Sequence, residues 1–204
     1  MPLSVTCLAI KWDNFTFTEE LGLALVSLPL EDFALHSKMV FPVFQQLAQY
    51  FPKMTNLSFL TLEQPMDEEY AECLATNIQS LTQLESIELF TCPSSPSLMS
   101  AISGLPQLTH LKLPMLDDTA FQLPSKLRHL SLKDITMEAM ESILPQFEML
   151  TNLQVLALVA CPTKNLHSLL PDLLKPPRLA QLHLINGGYL TETWEGAFPE
   201  SENL

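Results

Sequence analysis

Glycine is scarce. Five residues in a chain of 204 leave a dinucleotide-binding fold little to build on, and no phosphate-cradling glycine loop is present. G-x-S-x-G, H-E-x-x-H and EF-hand patterns are missing too, so no catalytic motif offers itself and the chain reads as a non-enzyme with no cofactor and no metal. Positive charge is also in short supply. Ten Lys and Arg against 23 Asp and Glu give a net charge of -13, which repels phosphate backbones and anionic lipid and argues against nucleic-acid or membrane partners. The four cysteines, Cys7, Cys73, Cys92 and Cys161, form neither a C-x-x-C pair nor a compact disulfide framework, so reduced thiols in a cytosolic setting are expected. No stretch approaches the ~20 apolar residues that span a bilayer, and the start, MPLSVTCLAI, lacks the basic head and apolar run of a signal peptide. A soluble, cytoplasmic chain is expected.

Leucine is what the chain has in plenty. It fills 41 positions, a density at which L-x-x-L-x-L should arise by chance roughly 1.6 times. The pattern occurs six times, starting at Leu25, Leu57, Leu108, Leu127, Leu153 and Leu179. Allowing Val or Ile adds Val5-Leu8-Ile10 and Leu84-Ile87-Leu89, giving eight units with starts 20, 32, 27, 24, 19, 26 and 26 residues apart. Three residues ahead of the motif stand Met54, Leu81, Leu105, Pro124, Leu150 and Pro176, a second column that is apolar or chain-bending throughout.

The repeated triplets give the chain a family resemblance. It resembles the leucine-rich repeat proteins, whose L-x-x-L-x-L-x-x-N/C-x-L units run to 20–29 residues. Cys92 and Cys161 occupy the N/C position, as in LESIELFTC and LQVLALVAC; the remaining units carry Asp13, Phe33, Pro65, Leu116, Ile135 and Gly187 there. The longer units are similar to intracellular, ribonuclease-inhibitor-like repeats, and the short step through FQLPSKLRHLSL to bacterial-effector repeats. The resemblance implies an α/β solenoid of about eight units, a right-handed horseshoe arc with a parallel sheet on the concave side and short helices and turns on the convex side. Residues 1–188 would form the array and 189–204 a packed cap or a loose tail.

In an extended segment alternate side chains point to opposite faces, so the second and third leucines of each triplet face inward and stacking on the next unit is needed to keep them dry. Between strands, TMEAMESILPQFEML offers Thr136 as a helix cap, DEEYAECLATNIQSL places acids in a first turn, and VFPVFQQLAQY puts Pro42 at a first helical position. KNLHSLLPDLLK contains Pro171 and is expected to break into short turns. DDTAFQLPSK leaves no room for a full helix.

Motif positions three, five and seven should face solvent. In the second unit, read from Leu25, these are Ser27, Pro29 and Glu31. Farther along they are Phe59, Thr61 and Glu63; Ser86, Glu88 and Phe90; His110, Lys112 and Pro114; His129, Ser131 and Lys133; Val155, Ala157 and Val159; Gln181, His183 and Ile185. Polarity runs from acidic around Glu31, Glu63 and Glu88, through basic from His110 to Lys133, to apolar beyond. His110 and His129 share a column, where a pH-sensitive contact is favoured over a metal site. Lys112, Arg128 and Lys133 read either as a docking patch for an acidic peptide or as cations offsetting nearby acids. Phe59 and Phe90 are candidate interface anchors.

The partner-binding set expected on the concave face is therefore Phe59, Thr61, Glu63, Glu88, Phe90, His110, Lys112, His129, Ser131, Lys133 and His183. The resemblance implies a protein partner and an adaptor, sensor or effector role. The rivals are the substrate-recognition part of a larger enzyme, such as a ubiquitin ligase, and a structural repeat that self-associates through uncapped ends.

Overall fold

The computed structural model describes residues 5–11, 16–36, 38–91, 95–114, 122–161, 166–186 and 189–195. Strands and helices alternate along most of the chain: β1 (Cys7–Ile10), α1 (Glu19–Ser27), β2 (Asp32–Leu35), α2 (Phe41–Ala48), β3 (Phe59–Leu62), α3 (Glu68–Ile78), β4 (Ser86–Leu89) and α4 (Pro96–Ser103). Then come β5 (His110–Pro114), β6 (His129–Lys133), α5 (Met137–Ile143), β7 (Val155–Val159), α6 (Leu166–Leu173), β8 (Gln181–Asn186) and β9 (Tyr189–Glu195). The strands form one sheet in chain order, β1 to β8 parallel and β9 antiparallel on β8. The fold is α/β, an eight-stranded parallel sheet with short helices.

Period-two alternation explains the core. Phe33, Leu60, Ile87, Leu111, Leu130, Leu156 and Leu182 stand opposite one another in register across neighbouring strands. They and the triplet-opening leucines Leu57, Leu84, Leu108, Leu127, Leu153 and Leu179 are at most 4% exposed. The helices supply the other half of the same core, through residues such as Phe44, Leu74, Ile102 and Met140. Each fully buried large aliphatic or aromatic side chain of this core contributes ~1.5–3 kcal/mol.

The second unit is a correction. Leu25 lies in α1, not ahead of a strand, and the triplet that feeds β2 is Leu30-Phe33-Leu35. A repeated hydrogen-bonding device fixes this register. One carbonyl per unit accepts two N–H groups from the next: Thr6 from Glu31 and Asp32, Glu31 from Ser58 and Phe59, Ser58 from Glu85 and Ser86, and so on to Gln154 with Ala180 and Gln181. With Leu30 as the start, the irregular first two steps become 25 and 27 residues. The solvent-side residues of this unit are accordingly Asp32, Ala34 and His36, in place of Ser27, Pro29 and Glu31.

The column ahead of each triplet has a plain mechanism. The carbonyls of Met54, Leu81, Leu150 and Pro176 each accept from the N–H of the opening leucine three residues on, at 3.0, 3.0, 3.0 and 3.1 Å, closing a turn that aims the chain into the strand.

Helix starts follow their caps. Asp67 accepts from the N–H groups of Glu69 and Tyr70 at the head of α3, and Thr136 from Ala139 at the head of α5. Pro42 lies in the first turn of α2. Contrary to the sequence expectation, α6 runs through Pro171. One missing backbone bond in a two-turn helix is outweighed by the burial of Leu169 and Leu173 on its inner side. DDTAFQLPSK lies partly outside the described residues. The segment beyond residue 188 provides β9 over 189–195; Phe198 lies outside the described residues. No helix among the described residues is long and apolar enough to cross a membrane.

Candidate binding face on the parallel sheet

The face opposite the helices has no covering layer among the described elements. Its strand residues are half-buried or exposed, Ser86 and Pro114 excepted. Parallel pairing without slippage sorts them into rows. The first row reads Cys7, Asp32, Phe59, Ser86, His110, His129, Val155 and Gln181; the second reads Ala9, Ala34, Thr61, Glu88, Lys112, Ser131, Ala157 and His183. Glu63 and Phe90 follow β3 and β4 directly, while Lys133 closes β6.

All eleven expected residues lie on this side or at its rim, but not together. At ~4.8 Å per strand, Phe59 and His183 stand about 24 Å apart. Three groupings result. Near the N-terminal side Glu63 pairs with His36 at 2.7 Å; His36 was missed because the second unit was read from Leu25. Phe59, at the start of β3, is 43% exposed, with Thr61 half-buried between it and Glu63.

The central group is the densest. Lys112 Nζ lies 4.0 Å above the Phe90 ring and 3.6 Å from a Glu88 carboxylate oxygen, so the aromatic face and the acid hold one ammonium between them. The rings of His110 and His129 stack at 4.2 Å with their planes 13° apart. Glu88, both histidines, Lys112, Ser131 and Ala157 border a depression of about 220 Å³. Small Ser131 and Ala157 in the second row leave room for it. Lys133 sits at the rim, 3.8 Å from Asp134.

Burial lowers the pKa of both histidines, helped by Arg128; on His129 the neighbouring His110 adds to the effect, while Glu85 and Glu88 partly oppose it at His110. Thr109 Oγ1 donates to the Glu85 carbonyl at 3.2 Å and lies 2.9 Å from His110 Nδ1. Thr109 thus ties the His110 ring to the backbone of the preceding strand's entry.

His183 is the third grouping, near Gln181 at 3.4 Å, separated from the centre by Val155 and Ala157. Among the described residues no three His, Cys, Asp or Glu side chains are placed to hold a metal ion.

Two features had no sequence signal. A wider groove of about 670 Å³ opens on the helical side between α2 and α3, bordered by Phe41, Gln45, Glu69, Glu72 and Cys73. Gln64, just past β3, is fully buried with neither side-chain polar atom hydrogen-bonded among the described residues. Of the cysteines, Cys7, Cys73 and Cys161 are free thiols, and Cys92 lies outside the described residues. Cys161, in the N/C position, directs Sγ at the Leu132 carbonyl of the preceding unit at 3.9 Å, and burial pushes its thiol up to about 11.

No family model and no curated protein matches this chain.

Proposed function

We propose that the chain is a leucine-rich repeat solenoid that recognises a protein partner on its open sheet face, as an adaptor, sensor or effector module and not as an enzyme. One observation carries this reading: eight parallel strands follow chain order, each adding one in-register rung. A doubly wound sheet reverses strand order and keeps both faces covered. Here the order of the described strands never reverses and no described element covers one face, which supports the repeat reading and leaves a broad preformed surface. Such a surface binds with little ordering cost.

The central group supports that face as the contact region. An aromatic ring, a lysine, two stacked imidazoles and a hydroxyl lie within neighbouring strands, flanked by exposed Phe59. Interfaces draw their energy from such aromatic and cationic anchors.

The test pairs partner capture with two sets of substitutions. Phe59→Ala, Phe90→Ala and Lys112→Ala on the sheet face should each weaken a captured complex at least about tenfold, the loss expected of a residue worth more than ~1.4 kcal/mol. Gln45→Ala and Glu69→Ala on the helical groove should leave it unchanged. The reverse pattern would move the interface to α2 and α3.

A further inference from the structure

Among the described residues, charge around the stacked histidines is balanced only while both rings are neutral. Glu85 just ahead of β4 and Glu88 within it, Lys112 on β5, Arg128 just ahead of β6 and Lys133 at its end with Asp134 next to it are the charged groups, and β7 and β8 present uncharged Val155, Ala157 and Gln181 before His183. Lys112 is already paired with Glu88, and Lys133 with Asp134. Each proton taken up by the stack therefore adds an uncompensated positive charge at a half-buried site on a chain whose net charge is -13.

Burial disfavours the first charge on the pair and two imidazolium rings stacked at 4.2 Å would repel each other, so an anion arriving beside the rings favours their protonation. The depression beside the rings has room for a carboxylate, with Lys112 and Ser131 on its border and Glu88, paired to Lys112, on the same border.

We propose that the His110–His129 stack, with Lys112 beside it, is a proton-gated receptor for a carboxylate side chain of an acidic partner segment. The inference rests on the reading of the open sheet face as a binding surface, and it specifies the partner as an acidic peptide bound more tightly as pH falls. Carboxylate binding stabilises the charged rings, so complex formation takes up protons near neutrality.

The probe is a fluorescein-labelled hexa-aspartate peptide with blocked ends, which stays ionised above pH 5.5, titrated against the full chain by fluorescence anisotropy at low salt. Affinity should rise at least about tenfold from pH 7.5 to 5.5, against a limit of roughly tenfold per pH unit for each proton taken up. Calorimetry in buffers of different ionisation enthalpy should record net proton uptake. H110Q/H129Q should bind weakly at every pH and without slope, whereas H183Q should keep the full slope; circular dichroism melts establish that both variants fold.

A slope that survives in H110Q/H129Q, pH-independent binding, or no binding at any pH would overturn the inference. So would sedimentation with phosphatidylserine vesicles under conditions where the peptide does not bind. None of these outcomes touches the broader reading, which falls only if captured partners ignore substitutions on the sheet face.

Discussion

At the residue scale, the histidine stack makes stability depend on pH. Burial holds the folded pKa of His110 and His129 below the ordinary 6.5. Just below pH 6.5 the unfolded chain thus binds more protons than the folded one. Their contribution is fully present above pH 6.5 and is lost as pH falls through the depressed values. Urea midpoints of the unliganded protein should drop between pH 7 and 5.5, and H110Q/H129Q should flatten that limb. Gln64 makes a second case. An amide buried without partners costs ~1–3 kcal/mol, so Gln64→Leu should be neutral or raise stability by up to about that amount, read from the urea midpoint at unchanged slope. A clear loss of stability would mean that the amide is satisfied by water or by a group outside the described residues.

At the element scale, caps and triplets were legible and their exceptions had physical causes. Asp67 announces α3 by type and position, and its side chain accepts two N–H groups at 3.0 and 3.2 Å. Asp67→Ala should cost ~1 kcal/mol in chemical denaturation, with Asp67→Asn closer to neutral. The seven triplets other than that of β2 fall where their spacing puts them. β2 was misplaced because Phe33 fills a slot read as leucine, while Leu25, Leu28 and Leu30 match the pattern by accident across the end of α1. Pro171 misled in the other direction, since a local rule was overridden by two buried leucines. The histidine pairing was visible as a shared column, but its stacking, the Lys112–Phe90 contact and the burial of Gln64 depend on side-chain placement that spacing alone does not encode.

At the scale of the whole molecule, the edge of β1, unpaired among the described residues, has a testable consequence. Leu8 and Ile10 are only half-buried, whereas their register partners Phe33 and Leu35 are fully buried. This observation favours self-association at that end as a secondary property. Light scattering should then show mass rising with concentration, and L8D/I10D should hold the protein monomeric. A concentration-independent monomer would remove the idea.

A shared carbonyl ahead of each strand from β1 to β7 links it to the next by the same pair of bonds, and the described strands follow one another in space in chain order. Pulled from its two ends, such a molecule has no single mechanical clamp among the described strands. It should peel from an end, releasing about 25 residues per event, or roughly 80–90 Å of contour at ~3.3–3.6 Å per residue, as a ladder of similar low-force steps in an optical trap.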